Sequence, residues 1–144
     1  MKKIYVNEKW CLGCHLCEYY CAFANSHIDD MSKALKGKPI FPRIQVEDGD
    51  EGIHFAVSCR HCEEPLCVKG CITGALSIQD GVICVNQDKC VGCYTCILSC
   101  PYGAVMPAED GHVIQKCELC VQNAGGEPAC VKGCPNQAIV FEER

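Results

Sequence analysis

Positive charge is in short supply in this 144-residue chain: 13 Lys and Arg stand against 18 Asp and Glu, a formal net charge of −5. That balance argues against nucleic acid as a ligand, because affinity for phosphate backbones rests on clustered Lys and Arg. Aromatic residues are few, at 7% with a single Trp. The apolar share of 49% counts 17 cysteines; without them it falls to roughly 37%, thin for a self-sufficient core. No apolar run approaches the ~20 residues that span a bilayer, so no direct membrane span is expected. The opening Met1-Lys-Lys-Ile-Tyr-Val-Asn-Glu is not followed by the apolar stretch of a secretory leader. Cytoplasmic location is therefore the expectation, with export bound to a leader-bearing partner as the other route. A nucleophile–base pairing, a phosphate-binding glycine loop and an open metal position are missing too, which leaves no basis for catalysis by this chain alone.

What is there is cysteine. Seventeen is an odd number, which argues against a simple disulfide framework, as does a reducing compartment. The stretch Cys90-Val-Gly-Cys93-Tyr-Thr-Cys96-Ile-Leu-Ser-Cys100-Pro101 has the bacterial ferredoxin spacing for a [4Fe–4S] cluster. A cubane needs one thiolate on each of four irons. Three close cysteines let one tight loop wrap three corners, and the fourth leaves on a helical turn toward a neighbouring cluster. Related runs occur at Cys11, Cys14, Cys17 and Cys21, with Ala22 in place of proline; at Cys59, Cys62, Cys67 and Cys71; and at Cys117, Cys120, Cys130 and Cys134, the last with a nine-residue insertion containing Gly125-Gly126. Zinc sites also use Cys-x-x-Cys, but they need two well-separated pairs per ion. Three cysteines in one turn, twice over, fit a cubane better. With four clusters the metal supplies folding free energy that the thin core lacks. Sixteen bound thiolates also leave the chain more acidic than its formal charge, which favours low potentials.

Around these runs the pattern alternates between strands and turns. Residues 3–7 read as a strand and 16–25 as a helix. Residues 26–42, with Lys33, Lys36, Gly37, Lys38, Pro39 and Pro42, read as a surface loop. Arg43–Glu47 and Ile53–Ser58 read as a hairpin, as do the runs flanking Asp80-Gly81, the strongest short-range hairpin signal here. The same arrangement recurs around Glu109-Asp110-Gly111, and Ala138–Phe141 reads as a closing strand. Cys67-Val-Lys-Gly-Cys71 reappears as Cys130-Val-Lys-Gly-Cys134, the mark of a repeated supersecondary unit. The expected fold class is α+β: two bacterial-ferredoxin-like units of short hairpins and short helices around four [4Fe–4S] clusters. The expected units are 1–25 with 112–144, and 53–111, joined by a connecting loop and hairpin strand over 26–52.

Adjacent ferredoxin runs exchange their fourth cysteines, and four runs allow three ways of pairing. The second and third are joined by one hairpin and are the easiest to close, which leaves the first with the last. The proposed ligand sets are Cys11, Cys14, Cys17 and Cys134; Cys117, Cys120, Cys130 and Cys21; Cys59, Cys62, Cys67 and Cys100; and Cys90, Cys93, Cys96 and Cys71. Cys84 is left over and reads as a small hydrophobe on a strand. His15 and His61 lie inside cysteine runs but have no vacant ligand position to fill. Trp10, Tyr94 and Tyr102 flank the loops and are expected to pack over them; Lys69 and Lys132 are ordinary surface lysines.

In this order the four runs resemble the four-cluster polyferredoxin subunits of multisubunit oxidoreductases. The most specific parts are Cys59-x-His-Cys62-x-x-Pro-x-Cys67-x-x-x-Cys71, and Lys116-Cys-Glu-Leu-Cys120 followed by Pro128-x-Cys130-x-x-x-Cys134-Pro. The resemblance extends over about Ile4 to Phe141 and includes the iron–sulfur subunits of dimethyl sulfoxide reductase, formate dehydrogenase, hydrogenase, carbon monoxide dehydrogenase and tungsten aldehyde oxidoreductase systems. Ile72 stands after Cys71 where proline is usual. The resemblance implies the same pairing of first run with last and second with third. It implies single-electron relay through four clusters, with catalysis belonging to a partner. The first expected partner is a tungsten- or molybdenum-pterin aldehyde oxidoreductase, followed by a carbon monoxide dehydrogenase, then a hydrogenase or formate dehydrogenase. A flavin-containing subunit, a ferredoxin or a second copy of the chain are further candidates. Alternative readings are a free, diffusing polyferredoxin and a cysteine-rich zinc module.

Overall fold

Asp80 and Gly81 both take positive φ, +52° and +82°, as a two-residue type I′ turn requires. They join β4 (Leu76–Gln79) to β5 (Val82–Val85), with Ile78 opposite Ile83. The computed structural model describes residues 2–26, 28, 30–37, 39–109, 111–121 and 127–143. Gly125-Gly126 of the expected insertion, Asp110 of the third expected turn and Lys38 of the expected loop lie outside them.

The other described elements are β1 (Lys3–Val6), α1 (Leu16–Ser26), α2 (Met31–Leu35), β2 (Gln45–Asp48), β3 (His54–Val57), α3 (Leu66–Gly70), α4 (Thr95–Ser99), β6 (Val105–Pro107), β7 (Ile114–Lys116), α5 (Ala129–Gly133) and β8 (Ile139–Glu142). The strands form four antiparallel two-stranded ladders, β1–β8, β2–β3, β4–β5 and β6–β7. The architecture is α+β, built of short hairpins and short helices. Such hairpins are marginal alone and need something packed on one face.

One expectation fails. Residues 26–42 are not all loop, because α2 lies within them. Asp30 caps it by accepting the Ser32 N–H at 2.9 Å, the ordinary N-cap arrangement. Ala34 is buried, which gives the single turn a tertiary anchor.

The chain divides into two compact units, Met1–Ser58 with Leu119–Arg144, and Cys59–Glu118. Compared with the boundaries drawn from sequence, residues 26–58 go with the first and 112–118 with the second. In the first unit, α1 packs on α5. Cys17, Cys21, Ile44, Ala56, Cys130 and Ile139 form its buried core. In the second, α3 packs on α4, and Cys67, Leu76, Ile83, Cys96, Val105 and Ile114 form the core. Each core therefore includes thiols from the cysteine helices themselves.

The helix pairs approach closely through glycine. A Cβ on Gly133 would overlap the Tyr20 ring of α1, whereas the nearest atoms to one on Gly70 would be Ser99 Oγ at 3.1 Å and Thr95 Cγ2 at 3.5 Å.

Candidate iron–sulfur sites

The four cysteine loops share a backbone device. The residue before each second cysteine is left-handed: Gly13 (φ +70°), His61 (+46°), Gly92 (+72°) and Leu119 (+56°). The residues after Cys14 and Cys93, His15 and Tyr94, are left-handed as well, both at +62°. In the first and third loops left-handed residues alternate with residues of negative φ, which turns successive N–H groups toward one concavity and suits an anion, whereas in the fourth Leu119 and Cys120 (+54°) are both left-handed. For His15, His61, Tyr94 and Leu119, which have a Cβ, the conformation costs on the order of 1–2 kcal/mol each.

In the first unit, Cys11, Cys14, Cys17 and Cys134 line one cavity of about 330 Å³, counting the space open to solvent, together with Val46, Ala138 and Ile139. In the second, Cys71, Cys90, Cys93 and Cys96 line another of about 320 Å³, with Leu76, Tyr94 and Ile114. Two expected quartets thus face common spaces, each combining three loop cysteines with the last cysteine of another run.

Of the third expected set, the charges of Cys59 and Cys100 act on Cys67, and Cys62 sits half-buried beside left-handed His61. Of the set Cys117, Cys120, Cys130 and Cys21, the first unit holds the last three. Cys21 and Cys130 are buried in one core, and the Cys120 charge acts on Cys21. Cys117 is half-buried in the second unit.

Sulfur is widely hydrogen-bonded here. Cys21 Sγ accepts from Arg43 N–H at 3.2 Å and from Asn25 Nδ2 at 3.5 Å. Cys134 Sγ accepts from Ala138 N–H at 3.3 Å, Cys59 Sγ from His61 N–H at 3.4 Å and Cys93 Sγ from the Thr95 hydroxyl at 3.5 Å. Thr73 Oγ1 lies 3.7 Å from Cys71 Sγ. Hydrogen bonds to sulfur stabilise thiolates and raise the potential of clusters they hold.

Burial pushes the Cys17 thiol up to about 12, helped by the Glu18 charge and by Cys14 and Cys11. Burial likewise pushes Cys96 up to about 11, with Cys71 and Cys90 adding to it. For Cys71 burial acts upward too, but backbone N–H bonds from Leu76, Thr73 and Ala75, with the Thr73 hydroxyl, outweigh it and hold the thiol down to about 7. Thiolates gathered this closely repel one another unless a cation lies among them. The donor set therefore fits an iron–sulfur core: four soft thiolates per space, N–H groups aimed at sulfur, and apolar walls. Among the described residues no three His, Cys, Asp or Glu form a group that holds a single metal ion. A cubane spreads its ligands over four irons.

Two carboxylates steady the loops. Glu18 accepts the Val46 N–H of β2 at 2.9 Å and binds His15 Nδ1 at 2.8 Å. Glu118 accepts the Val85 N–H of β5 at 2.8 Å. Glu18 does not stand out in the sequence; Glu118 and the fully buried Lys116 fall within the Lys116-Cys-Glu-Leu-Cys120 segment, where spacing marks the cysteines but not what these two side chains do. For Lys116 a signal was readable, since Ile114 and Lys116 share one face of a strand by period two.

The expected aromatic covers are uneven. Tyr94 lines a cavity and bonds the Gly111 carbonyl. Trp10 is 54% exposed, and Tyr102, 42% exposed, lies under the Arg60 guanidinium at 4.5 Å instead. Cys84 is half-buried with its Sγ 3.8 Å from Val82 O. Lys132 pairs with Glu127 at 3.5 Å on the surface.

Residues 51–144 match the family model of the 4Fe-4S dicluster domain. The electron transport protein HydN of Escherichia coli (strain K12) is 35% identical over 93% of this chain and 83% of its own length. A sulfite dehydrogenase subunit of Allochromatium vinosum is 36% identical over 91% of the chain and 64% of its own length. AegA of Escherichia coli (strain K12) is 39% identical over 94% of the chain, which spans only 21% of that longer protein. With cysteine loops of this geometry and a family match over more than half its length, the chain belongs to the 4Fe-4S dicluster domain family.

Proposed function

We propose that this protein is the iron–sulfur, electron-transfer subunit of an oxidoreductase complex, carrying single electrons through four [4Fe–4S] clusters to or from a catalytic partner. The observation that carries the reading is the pair of cavities, each lined by three loop cysteines and one cysteine from another run. The proposed ligand sets are the four given above, using sixteen thiolates and leaving Cys84 outside. When bound, each cluster supplies a one-electron couple between core charges of 2+ and 1+. The chain's own part is to fix four ligands so that little rearranges on electron transfer, to aim N–H groups at sulfur, and to exclude water with residues such as Ile139 and Leu76.

The relatives named as an electron transport protein and as part of a sulfite dehydrogenase support a role beside a catalytic partner. The proposed partner is a tungsten- or molybdenum-pterin aldehyde oxidoreductase in the cytoplasm. Carbon monoxide dehydrogenase, hydrogenase or formate dehydrogenase are the alternatives. Anaerobic purification with iron and acid-labile sulfide assays tests the cofactor: about sixteen of each per chain are expected. A colourless, zinc-bearing or sulfide-free protein overturns it. Copurification with a single stoichiometric enzyme identifies the partner; a stable lone monomer serving several enzymes points instead to a diffusing polyferredoxin.

A further inference from the structure

Lys116 ends β7 and has no solvent exposure. Its Nζ donates to the Ile83 carbonyl of β5 and, at 2.6 Å, to the Cys117 carbonyl. Neither acceptor carries a charge, and among the described residues no Asp or Glu pairs with it. An ammonium removed from water without a counter-charge is a heavy cost to a fold. The second unit nevertheless places one in its interior, where a Met or Leu of similar volume would cost nothing of the kind.

Two sources of negative charge lie near it: the Glu118 carboxylate, which acts on Cys84 as Lys116 does, and the thiols around the Cys59–Cys62 loop. Ile83, 1% exposed, donates its N–H to His61 Nδ1 at 3.0 Å. His61 belongs to the Cys59–Cys62 loop, so a single residue of β5, Ile83, joins that loop to Lys116 through its N–H and its carbonyl. Cys67 is in the same core, and the Lys116 charge favours its thiolate against burial and against the neighbouring charges of Cys59 and Cys100. Three of the four cysteines of one proposed ligand set are thus electrically linked around the residue this lysine serves.

We propose that Lys116 is the internal counter-cation of the centre held by Cys59, Cys62, Cys67 and Cys100, and that its fixed charge raises the reduction potential of that centre. The inference rests on the iron–sulfur reading above. A 2+ core with four thiolates carries a net charge of about −2, and accepting one electron takes it to about −3. Lys116 attracts the second state more strongly, so it favours the reduced form, and it does so inside a low-dielectric core that weakens the effect little.

The test uses the full chain, purified anaerobically as wild type, Lys116→Met and Lys116→Gln, and titrated with dithionite under electron paramagnetic resonance. Iron and sulfide are counted in each. In both neutral variants one of the four couples becomes harder to reduce by tenfold or more, about 59 mV for one electron, and the other three stay in place. The couple that moves is the one a Cys62→Ser variant alters. Potentials unchanged in both variants, or moved alike in all four couples, overturn the proposal. A shift in Lys116→Met with none in Lys116→Gln also overturns it, because hydrogen bonding rather than charge would then be the cause. Should neither neutral variant assemble this centre, Lys116→Arg decides: regaining it supports the proposal and failing again overturns it. Wild-type protein without iron and sulfide overturns the iron–sulfur reading itself, a result distinct from iron-replete protein whose potentials ignore Lys116.

Discussion

Gly133 and Gly70 occupy the same place in the repeated Cys-Val-Lys-Gly-Cys segment, yet alanine is expected to act differently at the two. In a helix, alanine in place of glycine is worth up to about 1 kcal/mol, less at a terminal turn such as these. At Gly70 the new methyl meets the Ser99 hydroxyl and the Thr95 methyl at 3.1 and 3.5 Å, so a small hydroxyl shift accommodates it. Gly70→Ala should leave stability within about 1 kcal/mol of wild type. At Gly133 the methyl would overlap Cγ and Cδ2 of Tyr20. Those atoms sit near the stem of the ring, which cannot swing clear without a new χ1 or a wider α1–α5 spacing. Overpacking of this kind costs about 1–3 kcal/mol. The assay is anaerobic bleaching at elevated temperature, followed by iron release to a chelator, because proteins of this kind are better ranked by a rate than by an equilibrium. Each 1.36 kcal/mol of strain relieved on opening speeds the loss about tenfold. Gly133→Ala should therefore bleach about 5- to 160-fold faster than Gly70→Ala, and adding Tyr20→Ala should remove most of the difference, since residues in contact couple. Equal bleaching of the two glycine variants, or no rescue by Tyr20→Ala, would refute the packing argument.

Three further outcomes are expected. Cys71→Ser should remove or alter the centre of Cys90, Cys93 and Cys96 while sparing that of Cys59, Cys62 and Cys67, and iron counts with paramagnetic spectra decide it; loss of the other centre would reverse the exchange of fourth cysteines. Cys84→Ala should keep the full iron complement. The Cys84 thiol, raised by burial and by the Glu118 charge despite Lys116, is protonated at neutral pH, so iodoacetamide should label it slowly there and faster as pH rises past 9 (the ordinary thiol value). Glu18→Ala strips the Val46 N–H of its acceptor at a cost of about 1–3 kcal/mol; faster iron loss should follow, and Glu18→Gln, which keeps an acceptor oxygen, should recover part of it.

Much of the fold was legible because the signals were local. Asp80-Gly81 names its own turn, and the ladder register follows from alternation on either side. The strand over 3–6, the helix from Leu16 and the hairpin around Gly49–Gly52 fall within a residue or two of expectation for the same reason. The short helix at Met31–Leu35 was hidden because Lys36, Gly37 and Pro39 read as loop, while its cap at Asp30 and its anchor at Ala34 are a single turn's worth of signal. Cysteine spacing marked the candidate ligands, but the groups that serve them lie far away in sequence. Arg43 N–H reaches Cys21 across 22 residues, and Glu118 reaches Val85 across 33. The left-handed conformation of His61 and Leu119 was equally hidden, since neither residue type advertises it as Gly13 and Gly92 do.

The ladder between β1 and β8 sets Lys3 against Glu142 and Val6 against Ile139, so its two strands are made more than 130 residues apart. The segment from Cys59 to Glu118 is continuous and has all its strand partners at hand well before Ile139 has been made. At about 5–20 residues per second, the N-terminal thiols wait several seconds longer than those of the middle segment for their surroundings to close. Biogenesis should thus proceed in two instalments, with the iron–sulfur donor visiting the nascent middle first and the joined ends last.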